Sequence, residues 1–247
     1  MIDILYARYA RRKEKPLDSS YKIEDSIQKE RLINKNSDKL AVIFPGWHTH
    51  NFPVNILAKR LSKKGWAVLF YDFHDQILVP DEETVVESFR YLRDHIVDEV
   101  KKLTSTRGYK EIYFVGISLG NVPLTLVADK FSDFTGATLV VAGDNLAIDM
   151  WYGIRTVDIR HSFEKMHVGV RRLSEEWQDV SPINHVQHFA GKKVKVIMSL
   201  NDKFVATPYQ KKLAERITEI GANVDIKHNR VGHTLSIIKF CLFDSPI

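Results

Sequence analysis

An apolar run that ends in a serine flanked by glycines sets the narrowest limits on the fold of this sequence. Residues 111–117 read Glu-Ile-Tyr-Phe-Val-Gly-Ile, and the run closes in the pattern Gly116-Ile-Ser-Leu-Gly120. Its β-branched and aromatic residues favour a buried strand. Residues 121–130 favour a helix, because Pro123 falls in the first helical turn, where its missing N–H costs nothing. The stretch therefore predicts a strand, a sharp turn at Ser118 and a helix.

The predicted turn makes Ser118 a candidate nucleophile. A serine in a strained turn needs neighbours without bulk, and Gly116 and Gly120 meet that need. A strand, Gly-x-Ser-x-Gly and a helix in this order form a nucleophile elbow, which exposes the hydroxyl at the carboxyl end of a sheet. N–H groups at the start of the helix then point at any oxyanion formed there. The pattern is short, so an ordinary strand-turn-helix is the alternative.

Strand-like and helix-like segments alternate along most of the chain. The predicted strands are residues 40–44, 66–72, 111–117, 137–142, 193–199 and 223–228, and the predicted helices are 53–64, 82–103, 119–131, 208–220 and 234–240. Apolar strands that alternate with helices are typical of a mostly parallel sheet with helices on both faces. The sequence therefore predicts one α/β domain over residues 1–247, with a doubly wound, mostly parallel sheet. Residues 1–38 give no clear pattern.

Residues 145–188 are too long for a simple connection between two strands. Four of their large side chains are predicted to contact substrate: Trp151, Tyr152, Phe163 and Met166. An insertion above the carboxyl ends of the strands would form a helical cap, or lid, over the site. Arginines of the same segment could meet a carboxylate or phosphate on the leaving group of the substrate: Arg155, Arg160, Arg171 and Arg172. The alternative is that the aromatic residues only anchor the insertion to the body of the protein.

Composition excludes several classes of protein. The chain is 44% hydrophobic and 27% charged, as in ordinary globular proteins, and no apolar run approaches the roughly 20 residues of a membrane span. We therefore expect no stable membrane insertion. The N-terminus lacks the apolar core of a secretory signal, and the single cysteine, Cys241, fits a reducing compartment, so the expected location is cytoplasmic.

The net charge of +5 is too small and too scattered to predict a nucleic-acid partner. The densest basic cluster lies near the N-terminus and comprises Arg8, Arg11, Arg12, Lys13 and Lys15. It is interpreted as a solvated end of the chain, and salt-sensitive association with anionic lipid is the alternative.

Two further residues complete a candidate catalytic triad with Ser118. Asp202 follows the strand at 193–199, and His233 follows the last strand, so both are expected at the same edge of the sheet. The chain order serine, acid, histidine is the one expected for this type of elbow. Asp144 is the alternative acid, because it also follows a strand, and His48 and His50 are the rival histidines. Each residue also has a plain reading as a turn or surface group.

The predicted oxyanion hole uses two backbone N–H groups, those of Leu119 and Trp47. Gly46 lets the loop approach the substrate closely, and Gly46 and His48 are therefore predicted to contact it. An ordinary strand-to-helix turn is the alternative, although Gly-Trp-His-Thr-His is an unusual composition for a bare connection.

Four segments together resemble the α/β-hydrolase superfamily: Phe44-Pro-Gly-Trp-His48, Gly116-Ile-Ser-Leu-Gly120, Asn201-Asp-Lys-Phe-Val205 and Val231-Gly-His-Thr234. The resemblance extends from about Leu40 to the C-terminus. It implies Ser118 as nucleophile, His233 as base and Asp202 as acid, with the insertion as a lid. The oxyanion loop departs from the family in reading Pro-Gly where many members have His-Gly. The position after the elbow also departs from the family, because it holds Asn121 where a small residue is common.

These features predict a serine hydrolase that cleaves a small-molecule ester or thioester through an acyl-serine intermediate. Such chemistry requires no metal and no organic cofactor. The alternative is a non-hydrolytic member of the fold, either a small-molecule binding or receptor protein or a lyase, since fold does not determine function. The oligomeric state is left open.

Overall fold

We describe residues 20–47 and 52–244 from a computed structural model. The strands are β1 (Ile27–Ile33), β2 (Lys39–Phe44), β3 (Ala67–Phe73), β4 (Glu111–Ile117), β5 (Gly136–Val140), β6 (Lys193–Ser199) and β7 (Asn223–Asn229). The α-helices are α1 (Phe52–Lys63), α2 (Glu82–Arg107), α3 (Asn121–Lys130), α4 (Leu146–Tyr152), α5 (Val157–Lys165), α6 (Val170–Glu176), α7 (Thr207–Glu219) and α8 (His233–Phe243). Each predicted strand and helix from residue 40 onward is present, with ends shifted by a few residues.

The strands form one sheet in the order β1-β3-β2-β4-β5-β6-β7. All neighbouring pairs are parallel except β1 and β3, which pair antiparallel at the edge. The prediction of a mostly parallel sheet is confirmed, but β1 was not predicted. Gln28, Lys29 and Glu30 are exposed, so the strand lacks the apolar run that marks β2 to β5. An edge strand needs only one partner and tolerates such polarity.

Helices cover both faces of the sheet, because successive side chains of a strand point to opposite faces. In β2, Leu40, Val42 and Phe44 pack in a cluster with residues of α2, α3 and α7. Ala41 and Ile43 pack in a second cluster with residues of α1 and α8. These five side chains of β2 are fully buried, which explains why every residue from 40 to 44 is apolar.

The segment between β5 and β6 contains α4, α5 and α6 and three 3₁₀ turns, at Gln178–Val180, Pro182–His185 and Gln187–Phe189. It packs through a third apolar cluster on the N-terminal half of α2 and on residues 77–79. Phe163 and Trp177 form an edge-to-face pair at 5.9 Å in this cluster. The segment is therefore held to the body by an apolar core of its own.

Several predictions fall on residues that are not described. The N-terminal basic cluster, His48 and His50 lie outside the described ranges. Within residues 20–47 and 52–244, no helix is long and apolar enough to cross a membrane.

Candidate active site

Ser118 lies in the turn between β4, the central strand, and α3. Its φ angle is 52°, in the left-handed region that residues with a Cβ rarely adopt. A Cβ on Gly120 would overlap the carbonyl oxygens of Phe44 and Pro45, and a Cβ on Gly116 would overlap the side chain of Asn121. The two glycines therefore allow the turn to close against β2 and α3, as the sequence pattern predicts.

Asn121 ties this turn to the neighbouring strand. Its Nδ2 donates to the carbonyl oxygens of Ser118, at 2.8 Å, and Val140, at 3.0 Å. The side chain is buried and occupies the space that a Cβ on Gly116 would take. Asn121 therefore has a structural role that a smaller residue could not fill, since its side chain fixes the turn to the end of β5.

We predict that Gly120→Ala lowers the free energy of unfolding by about 3 kcal/mol, because the new methyl group must displace backbone carbonyls rather than flexible side chains. Urea unfolding of the variant measures this loss. Gly169→Ala is the matched control, because a Cβ at Gly169 meets no described atom within 4 Å and its φ of −106° suits alanine. Equal stability losses in the two variants would contradict the packing argument.

The three residues of the candidate triad lie in a continuous chain of hydrogen bonds. His233 Nε2 lies 2.9 Å from Ser118 Oγ, and His233 Nδ1 lies 2.7 Å from Asp202 Oδ2. The Asp202 side chain is fully buried and that of His233 nearly so, whereas Ser118 is partly exposed. The ring of Phe204 lies over the imidazole, with centroids 4.8 Å apart. Parallel β4, β6 and β7 end at one edge of the sheet, which is why residues far apart in sequence meet here.

The carboxylate of Asp202 is held by four hydrogen bonds. Oδ1 accepts from the backbone N–H groups of Phe204, at 2.8 Å, and Val205, at 2.9 Å. Oδ2 accepts from Gln210 Nε2 at 3.1 Å, besides its contact with His233. Gln210 also donates to the carbonyl oxygen of Val205 and accepts from the backbone N–H of Ser199. The buried amide of Gln210 therefore locks the loop that carries Asp202.

We predict that Gln210→Leu lowers the free energy of unfolding by about 2 kcal/mol, because the buried N–H of Ser199 and the Val205 carbonyl lose their partner. We also expect kcat/KM to fall about tenfold, since Asp202 loses one of its constraints. Urea unfolding and ester hydrolysis measure the two effects. Lys211→Leu, at the next and exposed position of α7, is the control and should change neither quantity appreciably. A Gln210→Leu protein of normal stability would contradict this account of the amide.

Asp144, the alternative acid, has a different partner. Its fully buried carboxylate lies 2.7 Å from Nζ of Lys212 on α7. No described hydrogen bond joins it to His233, whose Nδ1 faces Asp202. The geometry thus favours Asp202 as the partner of the histidine.

A cavity of about 250 Å³ opens beside Ser118 and His233. Both predicted oxyanion residues, Trp47 and Leu119, line it. The indole of Trp47 is fixed by a 2.6 Å hydrogen bond from Nε1 to the carbonyl oxygen of Asp75, and the Arg155 guanidinium lies 5.5 Å from the ring centroid. The remaining wall is mainly apolar and includes Pro53, Leu78, Val122, Leu146, Met150, Pro182, Val205, Ile237 and Ile238. Several of these residues belong to the segment 145–188.

The predicted substrate contacts in that segment need correction. None of Trp151, Tyr152, Phe163 and Met166 lines the cavity. Phe163 is fully buried in the third apolar cluster, and Tyr152 and Met166 are 57% and 51% exposed at the surface. The large side chains of this segment are therefore buried as anchors or lie away from the cavity, and Leu146 and Met150 of α4 line it instead.

Two more predicted substrate contacts have different outcomes. Gly46 is buried beside Trp47 and does not itself line the cavity, whereas His48 lies outside the described residues. Of the four arginines of the segment, only Arg155 lines the cavity. Arg160, Arg171 and Arg172 lie within 4 Å of Glu164, Glu175 and Glu82.

Sequence reasoning missed Gln210 and Asp149, and it did not use Phe204. Gln210 is a polar residue on the apolar face of α7, beside Leu213 and Ala214, which is a signal that sequence reading could have used. Asp149 interrupts the apolar face of α4 and lines the cavity.

Searches of the sequence against protein-family models and curated proteins find no match. Solved structures do match. The esterase Pf2001 of Pyrococcus furiosus aligns with a TM-score of 0.62 and 16% identity, over 85% of this chain and 80% of that one. A cold-adapted esterase from an Arctic intertidal metagenomic library aligns with a TM-score of 0.59 and 13% identity, over 83% and 79% of the two chains.

A third match is the acylaminoacyl peptidase of Pyrococcus horikoshii, with a TM-score of 0.59 and 15% identity over 85% of this chain and 35% of the peptidase. These matches, together with the strand order, decide the architecture. The chain has the α/β-hydrolase fold. The α/β-hydrolase resemblance inferred from the four sequence segments is therefore confirmed for the fold, and at this identity the likeness extends no further.

Proposed function

We propose that this protein is a serine hydrolase that cleaves a carboxylic ester or thioester through an acyl-serine intermediate. The observation that carries the proposal is the hydrogen-bonded chain from Ser118 through His233 to Asp202, at 2.9 and 2.7 Å, at the wall of an apolar cavity. A serine hydroxyl becomes nucleophilic when an adjacent base accepts its proton, and the base needs a third group to fix its tautomer.

In the first half of the reaction, Ser118 Oγ attacks the carbonyl carbon while His233 Nε2 takes the hydroxyl proton. Asp202 accepts the Nδ1 proton of His233 in a hydrogen bond and stabilises the imidazolium. The N–H groups of Leu119 and Trp47 stabilise the oxyanion. Collapse of the tetrahedral intermediate breaks the bond to the alcohol or thiol, which leaves with the proton from His233.

In the second half, water replaces the alcohol or thiol. His233 takes one proton of the water molecule as its oxygen attacks the acyl carbon. Collapse of the second tetrahedral intermediate breaks the bond to Ser118 Oγ, which recovers its proton from His233. The products are a carboxylic acid and the free serine. The apolar lining of the cavity suits an apolar acyl portion, and the segment 145–188 would act as its cap.

A panel of p-nitrophenyl and CoA esters of graded acyl length tests the proposal. We expect saturable hydrolysis with a length optimum, and stoichiometric labelling of the protein by an alkyl fluorophosphonate. An acylated amino-acid p-nitroanilide belongs in the panel, because one structural match is a peptidase. Labelling without hydrolysis would place the substrate in another class. If the protein is not labelled and hydrolyses no ester, the proposal is contradicted and a binding or receptor role is favoured.

A further inference from the structure

The cavity contains one carboxyl group that the proposed mechanism does not use, that of Asp149 on α4. The helix is fixed at its start by Asn145, whose Oδ1 accepts the N–H of Ile148 at 3.1 Å. A Cβ on Gly143 would overlap the Asp149 carboxyl, so the side chain lies directly against that backbone. Oδ1 of Asp149 is buried and has no hydrogen-bond partner among the described residues. The group is thus built into the cavity wall with unused bonding capacity.

The surroundings of this carboxyl favour its protonated form. Loss of hydration raises the pKa of Asp149 well above its ordinary value, and the nearby carboxylates of Asp144 and Asp202 raise it further. On α7, burial chiefly raises the pKa of Tyr209, and the charges of Tyr152, Asp144 and Asp149 raise it further. Lys212 of the same helix contacts Asp144. Both effects on the pKa of Asp149 favour its neutral carboxyl, whose O–H can donate a hydrogen bond.

Other charged groups around the cavity are engaged elsewhere. His233 lies between Ser118 and Asp202, and the guanidinium of Arg155 lies over the ring of Trp47. On the helices that pack against α4, Arg160 of α5 lies 3.5 Å from Glu164, and Arg172 of α6 lies 3.2 Å from Glu82.

We propose that Asp149 is a specificity-determining residue whose protonated carboxyl donates a hydrogen bond to an uncharged ether, hydroxyl or carbonyl oxygen in the acyl portion of the substrate. The proposal rests on the proposed hydrolase function and names its substrate class as oxygen-bearing acyl esters. A polar group left unpaired in an apolar wall discriminates against a plain alkyl chain, because that chain restores no hydrogen bond. A cationic group suits the site less, since it requires two desolvated charges.

The test compares p-nitrophenyl hexanoate with analogues in which an ether oxygen replaces the methylene at carbon 4 or carbon 5. The readout is the ratio of kcat/KM for the ether and alkyl esters within each variant, which cancels differences in folded fraction. We expect the best ratio to fall about tenfold in Asp149→Leu and to stay within about threefold of wild type in Asp149→Asn, because the amide still donates. Asp158→Asn, on α5 outside the cavity wall, should leave it unchanged.

The pH dependence gives a second readout. Wild type should lose its ether preference as the pH rises through the raised pKa of Asp149, whereas Asp149→Asn cannot ionise and should keep it. An unchanged ratio in Asp149→Leu would overturn the proposal. A wild-type preference for a chain ending in trimethylammonium over its neutral tert-butyl isostere, lost in Asp149→Asn, would show a cation site and also overturn it.

Binding without turnover separates this proposal from the hydrolase function. The methyl ketones that correspond to the alkyl and ether chains are titrated into Ser118→Ala and into Ser118→Ala/Asp149→Leu by calorimetry. A preference for the ether ketone that Asp149→Leu removes supports the role of Asp149 even if no ester of the panel is hydrolysed. Equal affinities in the Ser118→Ala protein would contradict it even if hydrolysis is fast.

Discussion

Replacing Ser118 with alanine is expected to lower kcat/KM for the best ester of the panel by a factor of about 10⁴ or more, because covalent catalysis is lost and only transition-state binding remains. In the wild-type protein, His233 Nε2 lies 2.9 Å from Ser118 Oγ. Alanine has no hydroxyl for this nitrogen to deprotonate. Steady-state kinetics and fluorophosphonate labelling, followed by peptide mapping, measure the loss.

Ser162→Ala serves as the matched control for that variant. Ser162 lies on α5, does not line the cavity and donates to the carbonyl oxygen of Asp158. We expect it to retain wild-type labelling and turnover. Persistent labelling of the Ser118→Ala protein, or turnover within tenfold of wild type, would assign the nucleophile to another residue.

The second large effect is expected from Asp202→Asn, which should lower kcat/KM by about 10⁴-fold. Two backbone N–H groups, of Phe204 and Val205, bind Oδ1, so the amide oxygen of asparagine is held at that position. Its NH₂ group then replaces Oδ2 and faces Nδ1 of His233 and Nε2 of Gln210. The histidine is forced to carry its proton on Nε2, where it cannot accept the proton of Ser118.

Asp144→Asn is the comparison that decides between the two candidate acids. Asp144 contacts Lys212 and has no described hydrogen bond to His233, so we expect its substitution to lower kcat/KM by less than about tenfold. Circular dichroism and urea unfolding check that both variants fold. A large loss in Asp144→Asn with a small one in Asp202→Asn would reverse the assignment of the acid.

Much of the fold could be predicted from the sequence because apolar periodicity and strand order are local signals. The run from Leu40 to Phe44 is buried on both faces of the sheet, and its composition shows this without any partner. The glycines at 116 and 120 are likewise a local signal, because the turn between them has no room for a Cβ at either position. By contrast, β1 is a polar edge strand, and its pairing with β3 depends on a neighbour that is distant in sequence.

The residues that line the cavity could not be predicted in this way. Aromatic residues of the segment 145–188 suggested substrate contacts, yet Phe163 packs against Trp177 and smaller residues such as Leu146 and Met150 form the wall. Composition gives the amount of apolar surface in a segment, and only packing decides which part of it faces inward, which faces the ligand and which faces water.

The strand-helix alternation, the elbow at Ser118 and the order in which the serine, the aspartate and the histidine follow three parallel strands were all predictable from the sequence. Packing of the folded chain was needed to show that Asp202 rather than Asp144 faces His233, that Gln210 holds the loop of Asp202, and that Asp149 lies in the cavity wall. The difference follows from distance along the chain. Steric and periodic preferences act between near neighbours and are written in short segments, whereas hydrogen-bond partners and shared desolvation arise between residues that meet only after the sheet has formed.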